Sequence, residues 1–98
     1  MAREKLSPTE IAERIQELDG WTVADDAISI AKTFKFRNFA QAFGFMAECA
    51  IHAEKLDHHP EWSNVYRTVE VRLTTHSANG VTELDLELAG RMDKAARH

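Results

Sequence analysis

Pro60 constrains this chain more than any other residue. It biases His59 away from the α region toward extended geometry, so a helix running up to about Leu56 must stop there. The segment Glu54-Lys55-Leu56-Asp57-His58-His59-Pro60 is then handed to a following strand. Two histidines and two carboxylates therefore sit at a helix-to-strand joint. Histidine, with an unperturbed pKa near ~6.5, gives and takes protons at neutral pH, which makes this joint a candidate proton-transfer site.

On either side of the joint the pattern is regular. Ser7-Pro8-Thr9-Glu10 supplies an N-cap, a proline at the first helical position and a glutamate three residues after the cap. With Ile11, Ile15 and Leu18 on one face and Gly20 beyond, it predicts a helix over Pro8 to Leu18. Trp21 to Val23, a turn at Asp25-Asp26 and an alternating Ile28 to Phe34 predict a β-hairpin, in which Lys32 interrupts the apolar face. Trp21 itself reads as a core residue in preference to an aromatic wall for a planar ligand. Asn38 with Gln41 resembles a second capping box, and it opens the long helix. Phe39, Phe43, Met46, Ala50 and Ala53 form a heptad-like stripe along that helix, widened by Phe45, Cys49 and Leu56. This is more apolar surface than one side of a small sheet needs, so the excess is either core or a seat for a second copy or a partner helix.

After the joint, Trp62 to Tyr66 and Val69 to His76 alternate as a second hairpin. A two-residue turn at Arg67-Thr68 pairs Tyr66 with Val69, Asn64 with Val71 and Trp62 with Leu73, and sets His59 opposite His76. Asn79-Gly80 marks a turn, and Thr82 with Asp85 caps a last helix carrying Leu84, Leu88 and Met92. The order α-β-β-α-β-β-α predicts an α+β fold, a four-stranded antiparallel sheet with three helices packed on one face.

The 98 residues fit one domain, 1–98, with no linker or repeat. No apolar run approaches the roughly 20 residues that span a bilayer, and the start is too polar for a signal peptide, so a cytoplasmic location is expected with no membrane association. A formal charge of −4 argues against direct nucleic-acid binding. Cys49 has no partner for a disulfide and reads as a buried thiol. Adjacent histidines on an extended segment point to opposite sides, so metal ligation is not expected. His52 reads as an ordinary helix-face residue. His58, His59 and His76, with Glu54, Asp57 and Asp85 near, form the candidate acid/base site. Asp85 is explained equally well as a helix-start residue.

The string Ala53 to Trp62, followed by Asn64-Val65-Tyr66, Thr75-His76 and Asp85, resembles the pterin-4a-carbinolamine dehydratases, also known as dimerisation cofactors of a homeodomain transcription factor. The likeness extends upstream through Gly20-Trp21, Phe39 and Ala42 to Met46. It implies dehydration of 4a-hydroxytetrahydropterin to quinonoid dihydropterin, as in the recycling of tetrahydrobiopterin-type cofactors, with no metal or redox cofactor. It places active-site histidines at His58, His59 and His76, acidic neighbours at Glu54, Asp57 and Asp85, and a pocket tryptophan at Trp21. It gives His58 and His76 the proton transfers and His59 the holding of the pterin. It further implies a homodimer or homotetramer, and a protein partner engaged through the long helix.

Overall fold

The structure, a computed structural model, describes residues 3–97. Met1 and Ala2, part of the polar start discussed above, and His98 lie outside the described residues. The elements follow the expected order: α1 (Pro8–Arg14), β1 (Thr22–Val23), β2 (Ile30–Lys35), α2 (Phe39–Leu56), β3 (Glu61–Val65), β4 (Thr68–Leu73) and α3 (Glu83–Ala96). The strands form one antiparallel sheet in the order β1-β2-β4-β3.

Local capping chemistry sets the helix starts. Ser7 and Glu10 form a complete capping box, and so do Thr82 and Asp85. At α2 only half the expected box exists. Asn38 Oδ1 accepts the Gln41 N–H, but the Gln41 side chain accepts from Arg37 N–H instead of Asn38. The helix α1 is shorter than the expected Pro8 to Leu18, because Ile15–Glu17 tighten into a 3-10 turn. Gly20 then takes the left-handed φ of 81° that turns the chain into β1.

One face of the sheet carries the core. Ile30 and Phe34 of β2 and Val69, Val71 and Leu73 of β4 pack with Ile11, Phe45, Cys49, Leu88 and Met92 from the three helices. Burial pushes the Cys49 thiol up to about 12, so it behaves as a packed apolar group. Lys32 shares the inward face of β2. Its ammonium bonds Asp93 Oδ1 at 2.8 Å and the Asp19 carbonyl, and lies 4.6 Å from the Phe34 ring centroid.

Two expectations about faces and register change. The predicted stripe on α2 splits: Phe45, Cys49 and Ala53 face the core beside Ala42, with Met46 and Leu56 packed against it, whereas Phe39, Phe43 and Ala50 are exposed, as is Ile51 outside the stripe. Periodicity shows that a helix has apolar faces, but the sheet beneath it selects which one is covered. In the second hairpin the loop is Tyr66-Arg67, not Arg67-Thr68, so Trp62 pairs with Val71, Asn64 with Val69 and Val65 with Thr68. Tyr66 adopts a left-handed φ of 52°, and Asn64 Nδ2 ties the loop by donating to the carbonyls of Tyr66 and Thr68. A shift of two residues preserves which face is buried, because two is the side-chain period of a strand. It does remove the predicted pairing of His59 with His76. The strand β4 ends at Leu73, Thr75 bridges to Gly80, and His76 opens a short 3-10 turn, His76–Ala78.

Candidate active site

The end of α2 decides where the two adjacent histidines point. Asp57 caps the helix in the left-handed region, φ 51°, and the His58 N–H reaches back to the Ala53 carbonyl at 3.0 Å. The chain reverses sharply there, so His58 turns inward toward α3 and His59 turns out to solvent.

His58 is buried. Its Nε2 lies 2.5 Å from Asp85 Oδ1, and the two side chains are 7% and 0% exposed. Asp85 Oδ2 accepts the Thr82 backbone N–H and the Thr75 hydroxyl, both at 2.9 Å. Asp85 therefore caps α3 with one oxygen and holds His58 with the other.

The other two histidines carry their own carboxylates. His59 Nε2 is 2.7 Å from Glu54 Oε1, and both side chains are exposed. His76, with 81% of its side chain exposed, places Nε2 2.8 Å from Glu61 Oε2. The remaining oxygen of Glu61 accepts from Arg72 Nη1 at 2.6 Å, its direct cross-strand partner. That hydrogen bond from Arg72 holds the Glu61 carboxyl below the usual glutamate range, and His76 adds a smaller pull in the same direction.

His58, His59 and His76 line one shallow depression of about 240 Å³, together with Asp57, Thr75 and Arg3. The β3–β4 ladder delivers Glu61, the end of α2 delivers His58 and His59, and the turn after Thr75 delivers His76. The histidines thus converge as expected, by a route other than direct cross-strand pairing. Asp57 stands at the rim, where its backbone carbonyl accepts from Arg3 Nη2 at 3.3 Å.

Trp21 is not brought to this depression. It is buried in the core, edge-on to Phe34 at 5.9 Å, and its indole N–H donates to Asp93 Oδ1 at 3.0 Å. The core reading of Trp21 matches this position, and the pocket-wall reading does not. The resemblance carried no role for Glu61, Arg72 or Arg3. Glu61 follows Pro60 directly, and an acid next to a candidate site was visible in the sequence. Its partner could be named only once the β3–β4 register was known.

Residues 4–95 match the model of the family described as pterin 4 alpha carbinolamine dehydratase. The chain belongs to this family. A relative from Rhizobium rhizogenes, provisionally named pterin-4-alpha-carbinolamine dehydratase, is 59% identical over 98% of this chain and 95% of its own length. One from Sinorhizobium fredii, named in the same way, is 57% identical over 98% of this chain and 91% of its own. A crystal structure of a transcriptional coactivator/pterin dehydratase from Brucella melitensis superposes with a TM-score of 0.92 at 52% identity, covering 95% of this chain and 99% of that one. A pterin dehydratase-like RuBisCO assembly factor of the alpha-carboxysome shares the fold, with a TM-score of 0.69 at 23% identity over 80% of this chain and 90% of that one. Among the described residues, no helix is long and apolar enough to cross a membrane.

Proposed function

We propose that this protein dehydrates 4a-hydroxytetrahydropterins to quinonoid dihydropterins by histidine acid/base catalysis, in the cytoplasm, as part of the recycling of a tetrahydrobiopterin-type cofactor. The observation that carries the reading is the gathering of three imidazoles at one depression, each with Nε2 against its own carboxylate. In the reaction the C4a–oxygen bond breaks and its electron pair leaves with the hydroxyl, which takes up a proton and departs as water. The adjacent ring nitrogen gives up its proton, and its lone pair closes the C=N bond. One acid and one base working near neutrality supply both transfers. His58 and His76 take these roles, while His59 with Glu54 and Asp57 holds the pterin. Trp21 has no part, being committed to the core.

The three Nε2 atoms address three separate carboxylates and not a common point, so the mechanism runs without a metal, and chelation should leave activity unchanged. The test is the dehydration of a synthetic 4a-hydroxytetrahydropterin followed by absorbance. Saturable acceleration over the spontaneous reaction, lost in a His58→Ala/His76→Ala double variant, supports the assignment. A rate at stoichiometric enzyme no faster than the spontaneous one overturns it.

A second reading rests on a different observation. Phe39, Phe43 and Ile51 leave a large apolar strip of α2 in solvent, with Phe39 and Phe43 packed on each other at 5.8 Å. Such a strip suits burial against another copy, giving a homodimer or homotetramer, or against helices of a regulatory protein. The unpaired edges of β1 and β3 offer a further pairing surface.

A further inference from the structure

Asp85 is wholly buried, so it does not touch a ligand lying in the depression, yet both of its oxygens are committed. Oδ2 receives two donors, the Thr82 backbone N–H and the Thr75 hydroxyl. The Thr75 oxygen lies 2.8 Å from the Thr82 hydroxyl, so the two threonines can form one directed chain of O–H groups ending on Asp85. Oδ1 is left for His58. An ionised carboxylate only accepts hydrogen bonds, so His58 must present Nε2–H, and the lone pair of its neutral ring lies on Nδ1. Among the described residues His58 Nδ1 has no hydrogen-bond partner, and the one buried side-chain polar atom without a partner among them is His52 Nδ1. His58 Nδ1 is therefore not one of the sealed, unpaired atoms, and the His58 side chain that carries it lines the depression.

We propose that Thr75 and the Thr82 backbone N–H are positioning groups that orient Asp85, and that Asp85 locks His58 in the Nε2–H tautomer with Nδ1 as the atom that exchanges protons with substrate. Asp85 is on this view a positioning residue, neither a substrate contact nor merely a helix cap. The catalytic half of the proposal rests on the dehydratase reading. The lock itself does not, because a tautomer is observable without turnover.

Asp85→Asn discriminates sharply, because two donors converge on the Oδ2 position and only the amide oxygen can sit there. The amide NH₂ is then forced toward His58 Nε2. That nitrogen must become the acceptor, and the neutral ring must carry its proton on Nδ1, which turns the base of the depression into a donor. A comparable aspartate-to-asparagine exchange behind a catalytic histidine, which leaves geometry intact but reverses the tautomer, costs about 10⁴ in kcat in serine proteases.

The experiment is long-range ¹H–¹⁵N correlation on ¹⁵N-histidine-labelled full-length protein, at a pH where titration shows the ring neutral. The His58 resonances are assigned by their loss in His58→Gln. Wild type is expected to show the Nε2–H pattern and Asp85→Asn the Nδ1–H pattern, with kcat lowered by about 10²-fold or more and KM changed less than about threefold. Thr75→Val, which keeps shape but removes a donor to Asp85 and strands the Thr82 hydroxyl, should lower kcat several-fold and cost some stability, and Thr75→Ser should restore both. A wild-type His58 in the Nδ1–H form overturns the lock, even if no variant folds and no activity is found. So does Asp85→Asn retaining Nε2–H. Reversal of the tautomer with kcat unchanged overturns the assignment of Nδ1 while leaving the dehydratase reading intact. Absence of wild-type turnover overturns that reading and leaves the tautomer result to decide the lock.

Discussion

Asp93→Ala should be among the most damaging single substitutions outside the histidine site, and its cost can be worked from the contacts. The Asp93 carboxylate is buried and accepts from Trp21 Nε1 at 3.0 Å, Lys32 Nζ at 2.8 Å and the Asp19 N–H at 3.3 Å. Removing one partner of a buried ion pair costs about 3–5 kcal/mol, because the other charge stays behind. The indole N–H left without an acceptor adds a desolvation cost of about 1–3 kcal/mol if no water reaches it. Two features hold the total toward the lower end. The Lys32 side chain keeps 15% exposure, and its ammonium retains the Asp19 carbonyl. A loss of about 3–4 kcal/mol is expected, a large fraction of the ~5–15 kcal/mol that holds a typical domain folded. For a chain of this size it corresponds to a Tm lower by roughly 15–25 °C. Urea and thermal unfolding of wild type, Asp93→Ala, Lys32→Met and the double variant form the cycle. Lys32→Met in the Asp93→Ala background removes the stranded charge and should recover about 1–2 kcal/mol. A single-variant loss below about 1 kcal/mol, or a double variant that loses the plain sum of the two singles, would refute the reasoning. Trp21→Phe adds a functional arm: it should lower stability and leave KM unchanged. A raised KM at unchanged stability would return Trp21 to the ligand.

Other outcomes can be checked with simpler variants. His58→Ala and His76→Ala should each lower kcat by about 10²- to 10⁴-fold, whereas His59→Ala should chiefly raise KM; loss of kcat confined to His59→Ala would reverse the roles. Glu61→Ala should lower kcat by no more than about fivefold, since an exposed pair with His76 is worth ~0.2–1 kcal/mol, and a larger fall would show that Glu61 contacts substrate. Glu83 is held below the ordinary glutamate value of 4.5 by the hydrogen bond from Arg14. Its folded pKa is therefore below its unfolded one, and the contribution of the pair is complete above 4.5 and lost as pH falls through the folded value. The stability gap between wild type and Glu83→Gln should narrow on acidification from neutral pH, and a constant or widening gap would contradict this. Phe43→Glu should shift the protein toward monomer in light scattering, and a wild type already monomeric at micromolar concentration would remove the case for self-association through α2.

Much of this protein could be read in its sequence because the signals were local. Ser7 with Glu10 and Thr82 with Asp85 cap helices through bonds spanning three residues, Pro60 stops α2 beside its own histidines, and strand alternation holds for any register that shifts by two. Those features determined the element order, the α+β class and the neighbourhood of His58 and His59. The tertiary structure decided what depends on partners distant in the chain. Asn64 ties a loop that places Tyr66 in the left-handed region, and this sets the register that puts Glu61 opposite Arg72 and within reach of His76. Trp21 belongs to the core because Asp93, 72 residues away, takes its N–H. Phe43 is exposed while Phe45 is buried because the sheet covers one face of α2. Periodicity and capping reflect energies within a turn or two of one segment, whereas the acceptor a buried donor finds, and the face a second layer covers, are fixed only when the layers pack.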